Sequence, residues 1–254
     1  MEQPPILETP HATSLPARLL NIFATPGEVF AEVKAAPLTA ANWLVPTLLC
    51  AVVGVLASIL IFSQPAIIQQ IHEQQVKAFD QQVKAGKITQ AQADQILGMA
   101  EKYTGPAMMK IFGSIGAVFG SFVRLFWWAF ILWLLAKLFL KVNVSYMKAA
   151  ETVGLTTMIS LLGAIVGLLL IVNLGKLFSG PSLALAVADF DVQKKSHLLL
   201  GAVNVFSFWF IGVLSAGFAR LAGVPFARAL FLVLGYWILQ ELALIFIGLG
   251  QMAL

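Results

Sequence analysis

Residues Lys110–Lys141 read KIFGSIGAVFGSFVRLFWWAFILWLLAKLFLK. Between the two terminal lysines the only charges are Arg124 and Lys137. A bilayer core takes about 20 residues of helix, so this stretch predicts a membrane-crossing helix with turns to spare. Its first half is small, with Gly113, Ser114, Gly116, Ala117, Gly120 and Ser121. Such residues let neighbouring helices approach closely, and Gly116 and Gly120 read as helix-packing positions. Its second half is aromatic, with Phe126, Trp127, Trp128, Phe130 and Trp133. Arg124 stands at the seam. An arginine at membrane depth costs about 2.5–3.5 kcal/mol on insertion scales, so it is expected to face protein or water and to have a partner.

The composition agrees. Hydrophobic residues make up 59% of the 254 and charged residues 11%, with a mean hydropathy of +0.89. A soluble domain of this size could not hide so much apolar surface, so the chain reads as an all-α polytopic membrane protein. A β-barrel would alternate apolar and polar residues, whereas these runs are apolar on every side. The net charge of +4 is scattered and implies no nucleic acid. The lysines suit orientation and headgroup contacts. Cys50 is the only cysteine, which excludes an internal disulfide and argues against a structural zinc site. No signal-peptide pattern opens the chain, so the first span is expected to act as the insertion signal.

Residues 1–14 read as a disordered tail, and 15–42 as amphipathic interfacial helices. In the latter, Thr25-Pro26-Gly27-Glu28 predicts a helix start with a capping box. Val29, Phe30 and Val33 follow on one face, suited to a membrane interface or to a plug under the bundle. The remainder, 43–254, reads as a five-helix transmembrane domain with spans at about 43–62, 111–140, 149–172, 198–221 and 229–249. A Gln-rich insert at 64–109 reads as an extramembrane helical hairpin. Gly86 stops its first helix, and Thr89 with Gln92 forms a capping box for its second. In the third span Gly163 and Gly167 form a small-xxx-small pair. Five spans put the termini on opposite sides. Setting the long hairpin aside, the basic residues place the N-terminus in the cytoplasm.

Three segments carry a resemblance to a known family. They are NIFATPGEVFAEVKAAP before the first span, GKITQAQADQILGMAEKY in the insert, and NVFSFWFIGVLSAGFARLAGVPFARAL across the last two spans. Together they resemble the Yip family of Ypt/Rab-interacting membrane proteins, in particular its bacterial branch. The likeness runs from about Ala17 to Leu249. It implies a five-span fold with a cytoplasmic N-terminus, and a bacterial inner-membrane location. In eukaryotic relatives it implies roles in membrane traffic and contact with small GTPases. This chain lacks their long N-terminal region and DLYGP-like motif, on which a GTPase contact would rest.

Arg124 and Glu241 form the main candidate site, an intramembrane polar pair at similar depth. A buried ion pair would explain how both are tolerated. The favoured reading is an inter-helix clamp; the functional reading is a lipid-headgroup or proton position. Asp189 and Asp191 lie near a basic pair and His197, a possible acidic loop site, though a solvated loop suits them better. Glu151 reads as an acid at the start of the third span, where the macrodipole favours it. His11 and His72 read as surface residues, and Asn173 and Asn204 as caps or interhelical bonds. Metalloprotease, serine-elbow and phosphate-loop motifs are missing, so the expectation is no enzyme, no cofactor and no metal. The expected function is membrane organisation or scaffolding, with membrane lipids and further copies of the chain as partners. The alternative is a small transporter or scramblase-like lipid-moving protein that uses Arg124 and Glu241.

Overall fold

The computed structural model describes residues 13–103 and 105–250; most of the tail read at 1–14, with His11, lies outside them. Among the described residues ten α-helices follow in order: α1 Leu15–Asn21, α2 Pro26–Ala35, α3 Ala41–Ile61, α4 Pro65–Lys84, α5 Gln90–Tyr103, α6 Pro106–Leu135, α7 Tyr146–Leu174, α8 Lys195–Ala202, α9 Val205–Ala222 and α10 Phe226–Phe246. The five helices α3, α6, α7, α9 and α10 are long and apolar enough to cross a membrane, α6 together with its π-turn Ala136–Leu140. The protein is an all-α, integral membrane protein. No named strand occurs among the described residues, where a single Ser182–Asn204 bridge pins the loop before α8 to the start of α9.

The chain threads up and down. We call the ends where α1 and α2 lie the N-terminal side, and the opposite ends the far side. Helix α7 packs on α3, α6 and α9; α3 also packs on α6, and α10 on α9. The core along this axis is filled by Leu125, Leu132, Leu155, Ile159, Leu214 and Phe218, each 0% exposed. Phe126, Trp43, Phe206 and Tyr236 pack around it. Much of the outer surface stays apolar, as at Phe119, Phe231 and Leu239, which is what a helix bundle solvated by lipid tails requires.

Close approach is set by small residues, but not all of the predicted ones. A Cβ on Gly154 would lie 2.7 Å from Trp43 Cβ and 2.8 Å from the Asn42 carbonyl, so α3 and α7 touch through bare backbone there. Gly163 makes room instead for the Phe206 side chain of α9, whose Cβ an added methyl would meet at 2.9 Å, and Gly167 meets Pro181 at ordinary contact distance. On α6 the residues meeting α3 are Gly113, against Ser58 and Phe62, and Ala117, against Gly54. Gly116 and Gly120, expected to pack, face open space within the chain. Gly113 and Ala117 are four apart and so share one face; Gly116 and Gly120 lie about 60° further round.

Several other boundaries differ from the sequence reading. The segment read as a span at 198–221 is two helices, because the Asn204 side chain accepts from Phe206 N at 2.9 Å and starts α9 afresh. Thr25 occupies the N-cap of α2 with Pro26 next, but its side chain makes no capping bond. Glu151 lies in the second turn of α7 rather than at its start. The Thr89–Gln92 box is present in both directions: Thr89 N–H donates to Gln92 Oε1 at 2.8 Å, and Gln92 N–H to Thr89 Oγ1 at 3.2 Å. Helices α4 and α5 pack on each other, with Ile67 and Ala93 buried. The apolar face of α2, Val29, Phe30 and Val33, is buried against the bundle, chiefly α9.

Candidate functional site

Helix α6 carries Arg124, Trp127 and Trp128 at the spacing of one helical face; α10 carries Tyr236, Trp237, Gln240 and Glu241 in the same way. Arg124 lies 13 residues before Lys137 on α6, and Glu241 lies 13 after Arg228 on α10. Both basic residues mark the N-terminal side. At 1.5 Å rise per residue, each charge is about 20 Å from that side, roughly two-thirds of the way across a 30 Å core. The two charges share a depth, nearer the far side.

They do not form a contact pair. No N–O distance between Arg124 and Glu241 falls within 4.0 Å. They feel each other only through space. Arg124 is open on one side, and its guanidinium carbon stands 5.7 Å from the centre of the Phe210 ring. Such a cation–π contact contributes about 0.5–2 kcal/mol, less than the cost of placing the charge at this depth. Glu241 Oε2 is buried without a hydrogen-bond partner among the described residues.

Polar groups missed by the sequence reading sit beside this pair. Trp127 Nε1 donates to Tyr236 Oη at 2.8 Å and to Gln240 Oε1 at 3.2 Å. Tyr236 Oη donates to Gln240 Oε1 at 2.8 Å. Trp128 packs edge-on against both Phe210 and Tyr236. Helices α6 and α10 are therefore joined by side chains across a gap, with α9 behind it. The available signal was the pair of polar residues Gln240 and Glu241 in an otherwise apolar span.

A second polar cluster is buried on the N-terminal side. Glu151 is 1% exposed and accepts from Thr39 N at 2.6 Å and from Asn42 Nδ2 at 3.1 Å. Its Oε2 makes no well-directed hydrogen bond, but Lys148 Nζ lies 2.8 Å away, so that contact is chiefly electrostatic. Lys148 Nζ also donates to the Val33 and Ala36 carbonyls, at 2.6 and 2.8 Å, at the C-terminus of α2. Cations are favoured at such helix ends. Arg18 Nη1 donates to Asn42 Oδ1 at 3.3 Å, and its Nε lies 3.8 Å from Glu32. This chain of contacts latches α1 and α2 to α3 and α7. Glu151 thus serves the start of α3, not that of its own helix.

On the far side, Asp191 N–H donates to His197 Nδ1 at 3.0 Å, and Asp191 Oδ1 accepts from Gln193 N. Asp189 and Asp191 border a cleft of about 610 Å³ with Lys77, Lys176 and Lys194. No group of three or more His, Cys, Asp or Glu suited to a metal occurs among the described residues. Gln70 holds α4 in place there, donating to Gly175 O at 2.7 Å and accepting from Leu177 N at 3.1 Å.

A family model described as the Yip1 domain matches residues 20–248. The chain belongs to this family. No curated protein and no solved structure matches it. The match runs from the end of α1 past the end of α10, so it covers the α6–α10 gap and, of the latch, Glu32, Asn42, Lys148 and Glu151 but not Arg18. The family is not a known enzyme family.

Proposed function

We propose that this Yip1-domain protein is a membrane organiser: a non-enzymatic five-helix scaffold that holds the α4–α5 hairpin as a contact surface at one face of the bilayer. The observation that carries this reading is the filled centre of the bundle. Leu125, Leu155, Ile159, Leu214 and Phe218 close the axis, and the five long helices run without the unwound segments that form transporter sites. The Gln70 contacts and the Glu151 latch hold the hairpin and the N-terminal helices in place, as a display scaffold requires. The membrane is the bacterial cytoplasmic membrane, with α1 and α2 on the cytoplasmic side and lipids and further copies of the chain as partners.

A second reading is favoured by one feature, Arg124, which has no ion-pair partner among the described residues and is open to the side of the bundle. A charge on the outer wall suits a lipid-moving protein, which needs no central path. Pure protein in vesicles separates the two. The organiser reading expects no solute flux and no lipid exchange above protein-free vesicles, together with self-association detected by crosslinking. Exchange abolished by Arg124→Met with the fold intact would instead establish the second reading.

A further inference from the structure

The far side carries a cavity of about 550 Å³ where the end of α3 and the first turns of α4 and α6 meet. Its lining combines the apolar side chains of Phe62, Ile68 and Met109 with the polar ones of Lys110, His72 and Gln75. No carboxylate lines it among the described residues. The nearest acid along α4, Glu73, lines the other cleft and accepts a hydrogen bond from Gln69 at 3.0 Å. Charge and shape together fit an anion attached to an apolar body.

The setting adds a direction. Below the cavity, α6 presents Ile111, Phe112, Ile115 and Phe119, which are 51–70% exposed. Phe112 lies one turn below Met109 of the cavity lining, and Ile115 and Phe119 carry that exposed side on into the membrane-crossing part of the helix, where acyl chains would lie, while Lys110 stands on the α3-facing side with Gly113 and Ala117. The first turns of α4 and α6 also end at the cavity. Their positive dipole ends add to the attraction of the side chains for an anion.

We propose that this cavity is a phospholipid site selective for anionic headgroups. Lys110 meets the phosphate, His72 and Gln75 donate hydrogen bonds to the headgroup, and the acyl chains run down the exposed face of α6. The site is independent of Arg124, about 21 Å away along α6 at 1.5 Å per residue, and of the scaffold reading.

The test uses full-length protein in vesicles of equal phosphatidylglycerol and phosphatidylcholine. After gentle detergent extraction, retained lipid is counted by native mass spectrometry. The wild type should retain phosphatidylglycerol over phosphatidylcholine by about five-fold, the effect of one lysine near an anionic headgroup. Lys110→Gln with His72→Gln should bring the ratio close to one, while Lys84→Gln, at the far end of α4, leaves it unchanged. Ile68→Trp, which fills the cavity and keeps its charges, should lower retention of both lipids. This separates a specific site from loss of surface charge, and thermal melting confirms that each variant is folded. Equal retention of the two lipids by the wild type overturns the proposal. So does a preference untouched by both the charge and the filling variants. If millimolar inorganic phosphate displaces the retained phosphatidylglycerol, the cavity takes a free anion and the lipid assignment falls.

Discussion

Replacing Glu151 by leucine tests the latch that joins the N-terminal helices to the bundle. The carboxylate is 1% exposed and Lys148 13% exposed, so water cannot take over the lost contacts. The substitution leaves the Lys148 ammonium without its counter-charge, and the Thr39 N–H and Asn42 amide without an acceptor. Removing one partner of a buried ion pair costs about 3–5 kcal/mol. Glu151→Gln keeps an oxygen for Thr39 and Asn42 but loses the charge, and should cost about 1.5–3 kcal/mol, the range of a charge-assisted hydrogen bond. Lys148→Met combined with Glu151→Leu removes both charges. It should recover about 1–3 kcal/mol relative to Glu151→Leu alone, the coupling expected of residues in contact. Sodium dodecyl sulfate titration in mixed micelles, followed by tryptophan fluorescence, measures the stabilities. Trypsin cleavage after Lys34 reports release of α2 separately. Raising salt from about 0.05 to 0.5 M should leave the differences unchanged, because a buried pair is little screened. If Glu151→Leu unfolds within about 0.5 kcal/mol of wild type and Lys34 is cut no faster, the cluster is not a latch and the reasoning fails.

Further expectations concern the spans. Arg124→Met and Glu241→Leu should show a coupling below about 0.5 kcal/mol in the same titration, because the side chains do not touch; a coupling of 1–3 kcal/mol would restore the clamp. Gly154→Ala should destabilise by about 1–3 kcal/mol, since its methyl would meet the backbone of α3. Gly116→Ala and Gly120→Ala should be neutral or stabilising by up to about 1 kcal/mol each, from helix propensity alone, and melting of the three variants side by side decides the matter. Asn204→Ala should cost about 1 kcal/mol through loss of the α9 cap, with faster amide exchange confined to the start of α9.

The five spans were legible because apolar run length meets a fixed bilayer thickness, a comparison that needs no partner. The Thr89–Gln92 box was legible because its two residues are three apart and bond each other. Membership of the Yip1 family also followed from local segments. The faces of the helices were not legible: a helix that is apolar all round has no amphipathic phase. The choice of Gly113 and Ala117 over Gly116 and Gly120 was therefore made by where α3 lies. Nor could the chain alone reveal the partner of Glu151, since Thr39 and Asn42 are 112 and 109 residues away. Matching depth suggested that Arg124 and Glu241 would pair, and depth is a one-dimensional coordinate. Whether the two charges touch depends on the lateral gap between α6 and α10, and the packing of Trp127, Trp128, Phe210 and Tyr236 sets that gap.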